Sequence, residues 1–222
     1  MITIEQITKK YGPQTALAPL SLSIASGSCV ALCGGNGAGK STLLHIMAGT
    51  LHADGGTISG LTRNSTGFMP DAITVPPGVS ARRWLCYLAD LKGCDRREVD
   101  EVLTMTGLAQ AADKEPSAFS RGMLQRLLFA QMMLGNPDIL LMDEPGNGLD
   151  PFWVEEWKQQ VLTCREQGKT IVFSSHLLHD VLAVADRIIL LHEGQLIADE
   201  PAENWKQDTR TPEQRFLDLL RA

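Results

Sequence analysis

The sequence contains no apolar run that approaches the roughly 20 residues needed to span a bilayer. Its apolar runs are short, as in Ile188-Ile189-Leu190-Leu191, and such runs are typical of buried strands. The N-terminus does not resemble a signal peptide either, because Ile2, Ile4 and Ile7 alternate with polar residues. This alternation predicts a strand, so we expect neither a membrane span nor a secretion signal.

Cysteine pairs and an excess of positive charge are also missing. The five cysteines are odd in number and form no Cys-x-x-Cys pair, so we expect reduced, buried thiols in a cytosolic protein. With 20 Lys and Arg against 26 Asp and Glu, the net charge is −6, and no basic footprint for nucleic acid is present. The 222 residues can form one large domain or two small ones.

What the sequence does contain is a glycine-rich loop with the spacing Gly-x4-Gly-Lys-Ser. It follows the apolar run 29–33 and leads into the apolar residues 43–47, an order that indicates strand, loop and helix. This is the Walker A pattern, in which backbone N–H groups and a helix start face one phosphate. In it, Lys40 reaches the terminal phosphates of a nucleotide and Ser41 binds Mg2+. The loop residues are Gly34, Gly35, Asn36, Gly37, Ala38, Gly39, Lys40, Ser41 and Thr42.

Periodic patterns divide the chain into an α/β core and a helical insert. Residues 1–33 alternate between apolar and polar, which predicts an antiparallel β layer. Apolar residues recur at helical spacing from 80 to 135, so we expect a helical insert at about 75–135. Continuous apolar strands then alternate with helices, which predicts a parallel sheet buried on both faces. The predicted strands are 55–59, 66–69, 139–142, 170–173, 187–191 and 195–198; the predicted later helices are 151–167, 178–185 and one opening at 211.

Two carboxylates, Asp143 and Glu144, follow the apolar strand 139–142. Ligands of open α/β sheets sit beyond the carboxyl ends of the strands, where the glycine loop also lies. We therefore expect Asp143 near Mg2+ and Glu144 in place to polarise a water for attack on a γ-phosphate. A solvated loop after a strand is the alternative.

Two other polar positions are ambiguous by themselves. His176 also follows a strand, where an imidazole can donate to a γ-phosphate oxygen, although such a histidine is more often structural. Ser120 precedes the third helical stripe of the insert and is a good helix cap. A capped helix start can also bind an anion, but Ser120 is far in sequence from the glycine loop.

In their order, these motifs resemble the nucleotide-binding subunit of an ATP-binding cassette (ABC) transporter over nearly the whole chain. Tyr11 resembles the aromatic residue that stacks on adenine, and the glycine loop resembles the family's Walker A, with Gly35 where proline is common. Residues 140–145 resemble Walker B with its catalytic glutamate. The resemblance implies a P-loop NTPase fold with a RecA-like core, in one ABC ATPase domain over residues 1–222, and it implies ATP and Mg2+ as ligands.

Three further segments carry the same resemblance. Residues 120–126 resemble the signature motif LSGGQxQR, residues 147–150 resemble the D-loop, and His176 resembles the switch histidine. The family's arrangement implies a head-to-tail dimer of two cassettes, in which Ser120 and Gly122 of one subunit face the ATP held by the other. Whether the second ABC subunit is identical is left open. Transmembrane permease subunits are implied as well, so we expect the chain to be cytoplasmic and peripheral at the inner face of the cell membrane.

Besides Gly35, three positions depart from the family pattern: Asp71, Arg121 and Met123, the last of which stands where the signature has its glutamine. Asp71 stands where a glutamine is usual, and no glutamine occurs between Gln14 and Gln110. An aspartate adds negative charge near a triphosphate, so we do not expect Asp71 to be a close γ-phosphate contact. Arg121 replaces the first glycine of the signature; it can pair with the partner's phosphate or point to solvent.

The pattern favours the ATPase subunit of a membrane exporter over two other classes. A soluble, non-transport cassette acting in ribosome function, repair or assembly usually has two cassettes or a long coiled-coil insert, and this chain has neither. The other class is a different phosphate-loop enzyme, either a GTPase or a small-molecule kinase. A GTPase needs an Asn-Lys-x-Asp motif, which is absent, and neither enzyme explains Ser120-x-Gly122 together with His176. Arg82, Arg83 and Trp84 open the insert's first helix, which either packs only on its own subdomain or forms a wall that receives a membrane subunit.

Overall fold

A computed structural model describes residues 1–62 and 64–221. The strands are β1 (Ile2–Tyr11), β2 (Gln14–Ile24), β3 (Cys29–Cys33), β4 (Gly55–Ser59), β5 (Thr66–Met69), β6 (Ile139–Met142), β7 (Thr170–Ser175), β8 (Arg187–His192) and β9 (Gln195–Pro201). The α-helices are α1 (Lys40–Met47), α2 (Ala81–Lys92), α3 (Arg97–Met105), α4 (Arg121–Met133), α5 (Pro151–Glu166), α6 (Leu178–Val184), α7 (Ala202–Lys206) and α8 (Pro212–Arg221).

The N-terminal layer is a three-stranded antiparallel sheet in the order β2-β1-β4. The alternation in the sequence predicted it, since Ile2, Ile4 and Ile7 are each only 1% exposed. Their side chains pack in one cluster with α1 and with one face of the larger sheet. The layer therefore covers the strand that leads into the glycine loop.

The larger sheet has six strands in the order β5-β6-β7-β3-β8-β9. The pairs from β5 through β8 are parallel, as predicted, whereas β9 runs antiparallel to β8 because the two form a hairpin about Gly194. Successive residues of β3 belong to different clusters: Val30 and Leu32 pack toward α1, and Ala31 packs on the opposite side. Burial on both faces explains why this strand is continuously apolar.

The segment predicted as a helical insert contains α2, α3 and α4, which pack around their own apolar cluster. Leu85, Leu103 and Leu127, one from each helix, are fully buried in it. Ser80 caps α2 by accepting a hydrogen bond from the amide of Arg83. Helix α4 also touches β5, so it connects the helical cluster to the edge of the large sheet.

The C-terminal part follows the predicted order of strands and helices with one addition. The short helix α7 was not predicted, because five residues are too few to show helical periodicity. It buries Trp205, whose ring lies 4.9 Å from the Arg215 guanidinium. The last predicted helix, α8, begins with a capping box between Thr211 and Gln214, with hydrogen bonds of 3.1 and 3.2 Å. Within the described residues, no helix combines the length and the apolar character needed to cross a membrane.

Candidate active site: a phosphate loop and two strand-end carboxylates

Glycine is required at two positions of the loop between β3 and α1. Gly34 has φ +150°, and a β-carbon there would lie 2.2 Å from the Leu191 carbonyl oxygen. Gly39 has φ +101°, and a β-carbon there would lie 2.6 Å from the carbonyl oxygen of Ala16. Any side chain at either position would collide with backbone atoms of a neighbouring strand, so the loop can run this close to the sheet only with glycine.

Lys40, the first residue of α1, is 6% exposed and turns back over the loop. Its Nζ donates to the carbonyl oxygens of Gly34 and Gly35 at 2.8 and 3.1 Å. It also lies 3.7 Å from Oε1 of Glu144. The ammonium group thus sits at the centre of the loop, at the start of a helix, where an anion is favoured.

The carboxylate of Asp143 joins the loop to the end of β6. Ser41, the second residue of α1, donates from Oγ to Asp143 Oδ1 at 3.0 Å. The Ser174 hydroxyl donates to the same oxygen at 2.6 Å. Asp143 is only 1% exposed. The two hydroxyl donors supply the hydrogen bonds that a buried carboxylate needs.

Glu144 and His176 lie side by side at the same edge of the sheet. The distance from His176 Nδ1 to Glu144 Oε2 is 2.8 Å. An ionised carboxylate only accepts hydrogen bonds, so Nδ1 carries the proton in this contact. Glu144 has φ +48°, an uncommon conformation for a residue with a side chain, and its side chain is 18% exposed.

A cleft of about 680 Å3 lies over the loop, within the size range of ligand sites. It brings together most of the residues predicted from the sequence. Gly34 does not line it, and lies below it with its carbonyl bonded to Lys40. The lining residues are Tyr11, Gln14, Ala16, Gly35 to Thr42, Asp71, Asp143, Glu144, Asn147 and His176.

Ser120 and Gly122 are not among the residues that line this cleft. Ser120 caps α4, accepting a hydrogen bond from the amide of Met123 at 3.2 Å. A β-carbon at Gly122 would lie 3.3 Å from the carbonyl oxygen of Gly148, so Gly122 is beside the loop that follows β6. Within one chain, the signature segment and the glycine loop are therefore separate.

The structure also places Asp71 and Arg121, two of the departures from the family pattern. Asp71 borders the cleft, and its carbonyl oxygen accepts a hydrogen bond of 3.1 Å from Nε2 of Gln125 in α4. Arg121 is exposed, and its aliphatic stem lies against Gly148. Neither contact was predicted from the sequence.

Cys33, the last residue of β3, lies beneath the loop. Burial raises the pKa of its thiol to about 12; the nearby charge of Lys40 opposes this shift and that of Glu144 adds to it. The thiol therefore stays protonated and unreactive at neutral pH. It belongs to the core under the site and has no part in the chemistry.

Sequence reasoning missed Ser174 and Gln125. Ser174 directly follows the predicted strand 170–173, two residues before His176, and the only available signal was a polar residue after an apolar strand. Gln125 lies within the signature segment but on the buried side of α4, where it is 4% exposed. Their roles depend on contacts between segments that are distant in sequence.

Comparisons with known proteins agree with this geometry. A family model described as "ABC transporter" matches residues 17–147. An uncharacterized ABC transporter ATP-binding protein of Synechocystis, sll0415, is 37% identical over 82% of this chain, which spans only 55% of that relative. The lantibiotic transport ATP-binding protein SrtF of Streptococcus pyogenes is 32% identical, and the match covers 90% of each chain. A dimeric, post-hydrolysis structure of an ATP-binding cassette bound to ADP and Pi is 27% identical, with a TM-score of 0.83 over 91% of this chain and 99% of that one.

Proposed function

Because the chain belongs to the ABC transporter family, we propose that the cleft over the glycine loop is the site where it binds and hydrolyses ATP. ATP binding and hydrolysis are the activity of the family's ATP-binding subunits, and this chain is one of them. The hydrogen bond between Ser41 and Asp143 carries the assignment of the site. It joins the phosphate loop to the strand-end carboxylates across 102 residues of sequence, at 3.0 Å.

Lys40 and the loop amides bind the phosphates. The ammonium group of Lys40 now donates to two carbonyl oxygens of the loop. On ATP binding it exchanges these for bonds to phosphate oxygens, which are stronger because the acceptor as well as the donor is charged. Tyr11, which borders the cleft and is 50% exposed, is free to stack on the adenine ring.

The donor set beside the loop fits Mg2+. Ser41 and Asp143 supply oxygen ligands, and Mg2+ is usually held by one or two carboxylates together with substrate phosphates and water. No group of three or more His, Cys, Asp or Glu side chains suited to a metal occurs in the described part of the chain, so the nucleotide completes the site. Ser41 and Asp143 would hold Mg2+ beside the loop, where it would neutralise charge on the phosphates.

Glu144 is the general base of the reaction. It takes a proton from a water as the water oxygen bonds to the γ-phosphorus and the bond from that phosphorus to ADP breaks. His176 fixes the direction of the carboxylate through the contact of 2.8 Å. Lys40 stands 3.7 Å away, so the base lies next to the phosphate-binding group.

A second ABC subunit completes the site. Ser120 and Gly122 lie outside the cleft of their own chain, which supports their use on the ATP of a partner, with the capped start of α4 facing the phosphates. The related cassette bound to ADP and Pi is dimeric. Closure of two cassettes around ATP, and their opening after hydrolysis, then move attached permease subunits.

Transmembrane permease subunits hold this chain at the inner face of the cell membrane. The name of the streptococcal relative, a lantibiotic transport ATP-binding protein, supports a role in transport, and we propose export as its direction. The whole chain acts as one ATPase domain. Helices α2 to α4 form its helical subdomain, because these three helices have an apolar cluster of their own.

The proposed function is tested by a substitution of Glu144, the general base. Glu144→Gln is expected to retain ATP binding, to lower turnover at least 100-fold, and to accumulate as an ATP-bound dimer in size-exclusion chromatography. Glu101→Gln, an exposed carboxylate on α3, is the matched control and should behave as the wild type. Unchanged hydrolysis in the Glu144 variant would remove this residue as the base.

A further inference from the structure

Ser174 is a fully buried residue of β7 that contacts both strand-end carboxylate residues. Its hydroxyl donates to Asp143 Oδ1 at 2.6 Å and accepts a hydrogen bond from the backbone amide of Glu144 at 2.8 Å. A serine hydroxyl has one hydrogen to donate, and an amide can only donate, so the direction of each bond is fixed. One side chain thus holds the carboxylate of one residue and the backbone of the next.

The position of Ser174 follows from the pairing of two parallel strands. Met142, the last residue of β6, is opposite Phe173 of β7. Asp143 and Ser174 come next along the chain, so they lie at the same level of the sheet. Because β7 continues through Ser175, Ser174 is still held by strand pairing, whereas Asp143 and Glu144 are already in a loop.

Glu144 needs such support because of its backbone. Its φ of +48° is one that residues with a β-carbon adopt uncommonly, and it persists only when surrounding contacts impose it. The hydrogen bond from the Glu144 amide to the Ser174 hydroxyl is such a contact. It restrains the backbone of the residue whose side chain must face the reacting water. His176 restrains only the far end of that side chain.

We propose that Ser174 is a positioning residue for ATP hydrolysis, which sets the direction of the Asp143 carboxylate and the backbone conformation of Glu144. The inference rests on the proposed function of the cleft. Ser174 touches neither the nucleotide nor the reacting water; it acts through the two residues it holds. Loss of the hydroxyl therefore affects the chemical step and the use of Mg2+ more than the binding of ATP.

A control on the same strand separates this role from simple stabilisation. Thr170, at the opposite end of β7, is 5% exposed, and its Oγ1 accepts a hydrogen bond of 3.0 Å from the amide of Gly27. Thr170→Val and Ser174→Ala each remove one buried hydroxyl that serves a backbone amide. Only the second variant lies at the site.

The experiment measures kcat, KM for ATP, the half-saturating Mg2+ concentration and amide hydrogen exchange. For Ser174→Ala we expect kcat to fall about tenfold, KM for ATP to change less than threefold, and half-saturating Mg2+ to rise at least threefold. In the protein without nucleotide, exchange at the Glu144 amide should be at least tenfold faster. Thr170→Val should instead speed exchange at Gly27 and keep the wild-type kcat.

A second variant keeps the test decisive if the alanine protein does not fold. Ser174→Cys retains most of the volume but forms only weak hydrogen bonds, so it should show the same loss of kcat. A wild-type kcat and Mg2+ dependence in either folded variant would overturn the proposal, as would unchanged exchange at Glu144. The exchange measurement does not need ATP, so it remains informative even if Glu144→Gln still hydrolyses ATP and the proposed function fails.

Discussion

The side chain of Arg121 lies on Gly148, so closely that a β-carbon at Gly148 would come within 2.5 Å of the Arg121 Cδ. Arg121 begins α4, and Gly148 lies in the loop that follows the strand-end carboxylates. From the sequence, Arg121 was expected either to reach a partner's phosphate or to face solvent. The structure adds a contact within the chain, because the aliphatic stem covers a glycine while the residue remains exposed.

This contact predicts an energetic coupling between the two residues. Gly148→Ala should lower the free energy of unfolding by about 1–3 kcal/mol, because φ is +82° there and the new methyl group meets the Arg121 stem. Arg121→Ala in the same protein should recover part of this loss, since it removes the collision but not the backbone strain. Urea unfolding of both single variants and the double variant measures the coupling. Strictly additive effects would show that the two side chains do not meet.

Lys40→Ala is expected to weaken ATP binding at least 100-fold, equivalent to about 2.7 kcal/mol. The variant loses the buried ammonium group that the loop holds between the carbonyl oxygens of Gly34 and Gly35. Equilibrium titration with a fluorescent ATP analogue measures the effect. Lys10→Ala, an exposed lysine on β1, is the control. Normal binding by the Lys40 variant would contradict the assignment of the loop.

Asp71→Ala should alter the coupling of hydrolysis to transport more than it alters basal hydrolysis. The side chain borders the cleft, but the hydrogen bond from Gln125 goes to the backbone oxygen and survives the substitution. ATPase activity measured with and without permease subunits in lipid vesicles separates the two effects. Asp71→Asn tests the charge alone. A collapse of basal activity would instead make Asp71 a ligand of the metal or of its waters.

Because β3 contains two buried thiols, Cys29 and Cys33, we expect the free energy of unfolding to decrease at alkaline pH. Burial raises the pKa of both Cys29 and Cys33 to about 12, whereas an unfolded thiol titrates near 8.5. Their contribution is therefore fully present below about pH 8.5 and is lost as the pH rises toward 12. Over that interval the free energy of unfolding should fall by roughly 1 kcal/mol per pH unit for each thiol, because the unfolded thiol loses its proton while the buried one keeps it.

Cys33→Ala isolates this effect. Its free energy of unfolding should fall less steeply than that of the wild type between pH 9 and pH 11, as measured by urea unfolding with a reductant present. Cys86→Ala, at a half-buried position of α2, controls for the loss of a cysteine elsewhere. Parallel pH curves for the wild type and the Cys33 variant would mean that Cys33 titrates normally in the folded protein.

The parts of the fold that the sequence predicts are those with a local signature. Continuous apolar strands, alternating strands and helical stripes each identify an element without knowledge of its neighbours. Asp143 and Ser41 were expected to meet because carboxyl ends of parallel strands share an edge, and their hydrogen bond of 3.0 Å agrees with that rule. The strands β8 and β9 were predicted, although their antiparallel pairing was not, and the five-residue α7 was too short for its pattern to be recognised.

The contacts that the sequence could not predict join segments that are distant in the chain. Ser174 and Gln125 are polar residues in otherwise buried elements, and their partners lie 31 and 54 residues away. No spacing rule identifies such a pair, since the partner depends on which strand lies next to which. The contact between the Arg121 stem and Gly148 could not be predicted either. Gly148 has no side chain, so the sequence contains no pattern that indicates this contact.

The side chains of β3 belong to two different core clusters, and this fixes the position of the phosphate loop along the strand direction. Val30 and Leu32 fill the core on one side of the sheet, while Cys29, Ala31 and Cys33 fill the core on the other. A slip of this strand by a single residue would exchange the two sets and disrupt both cores at once. The strand is therefore locked against sliding between β7 and β8. The phosphate loop follows directly from β3, so its position is fixed as well, and Lys40 stays level with the carboxylates that follow β6 on the far side of β7.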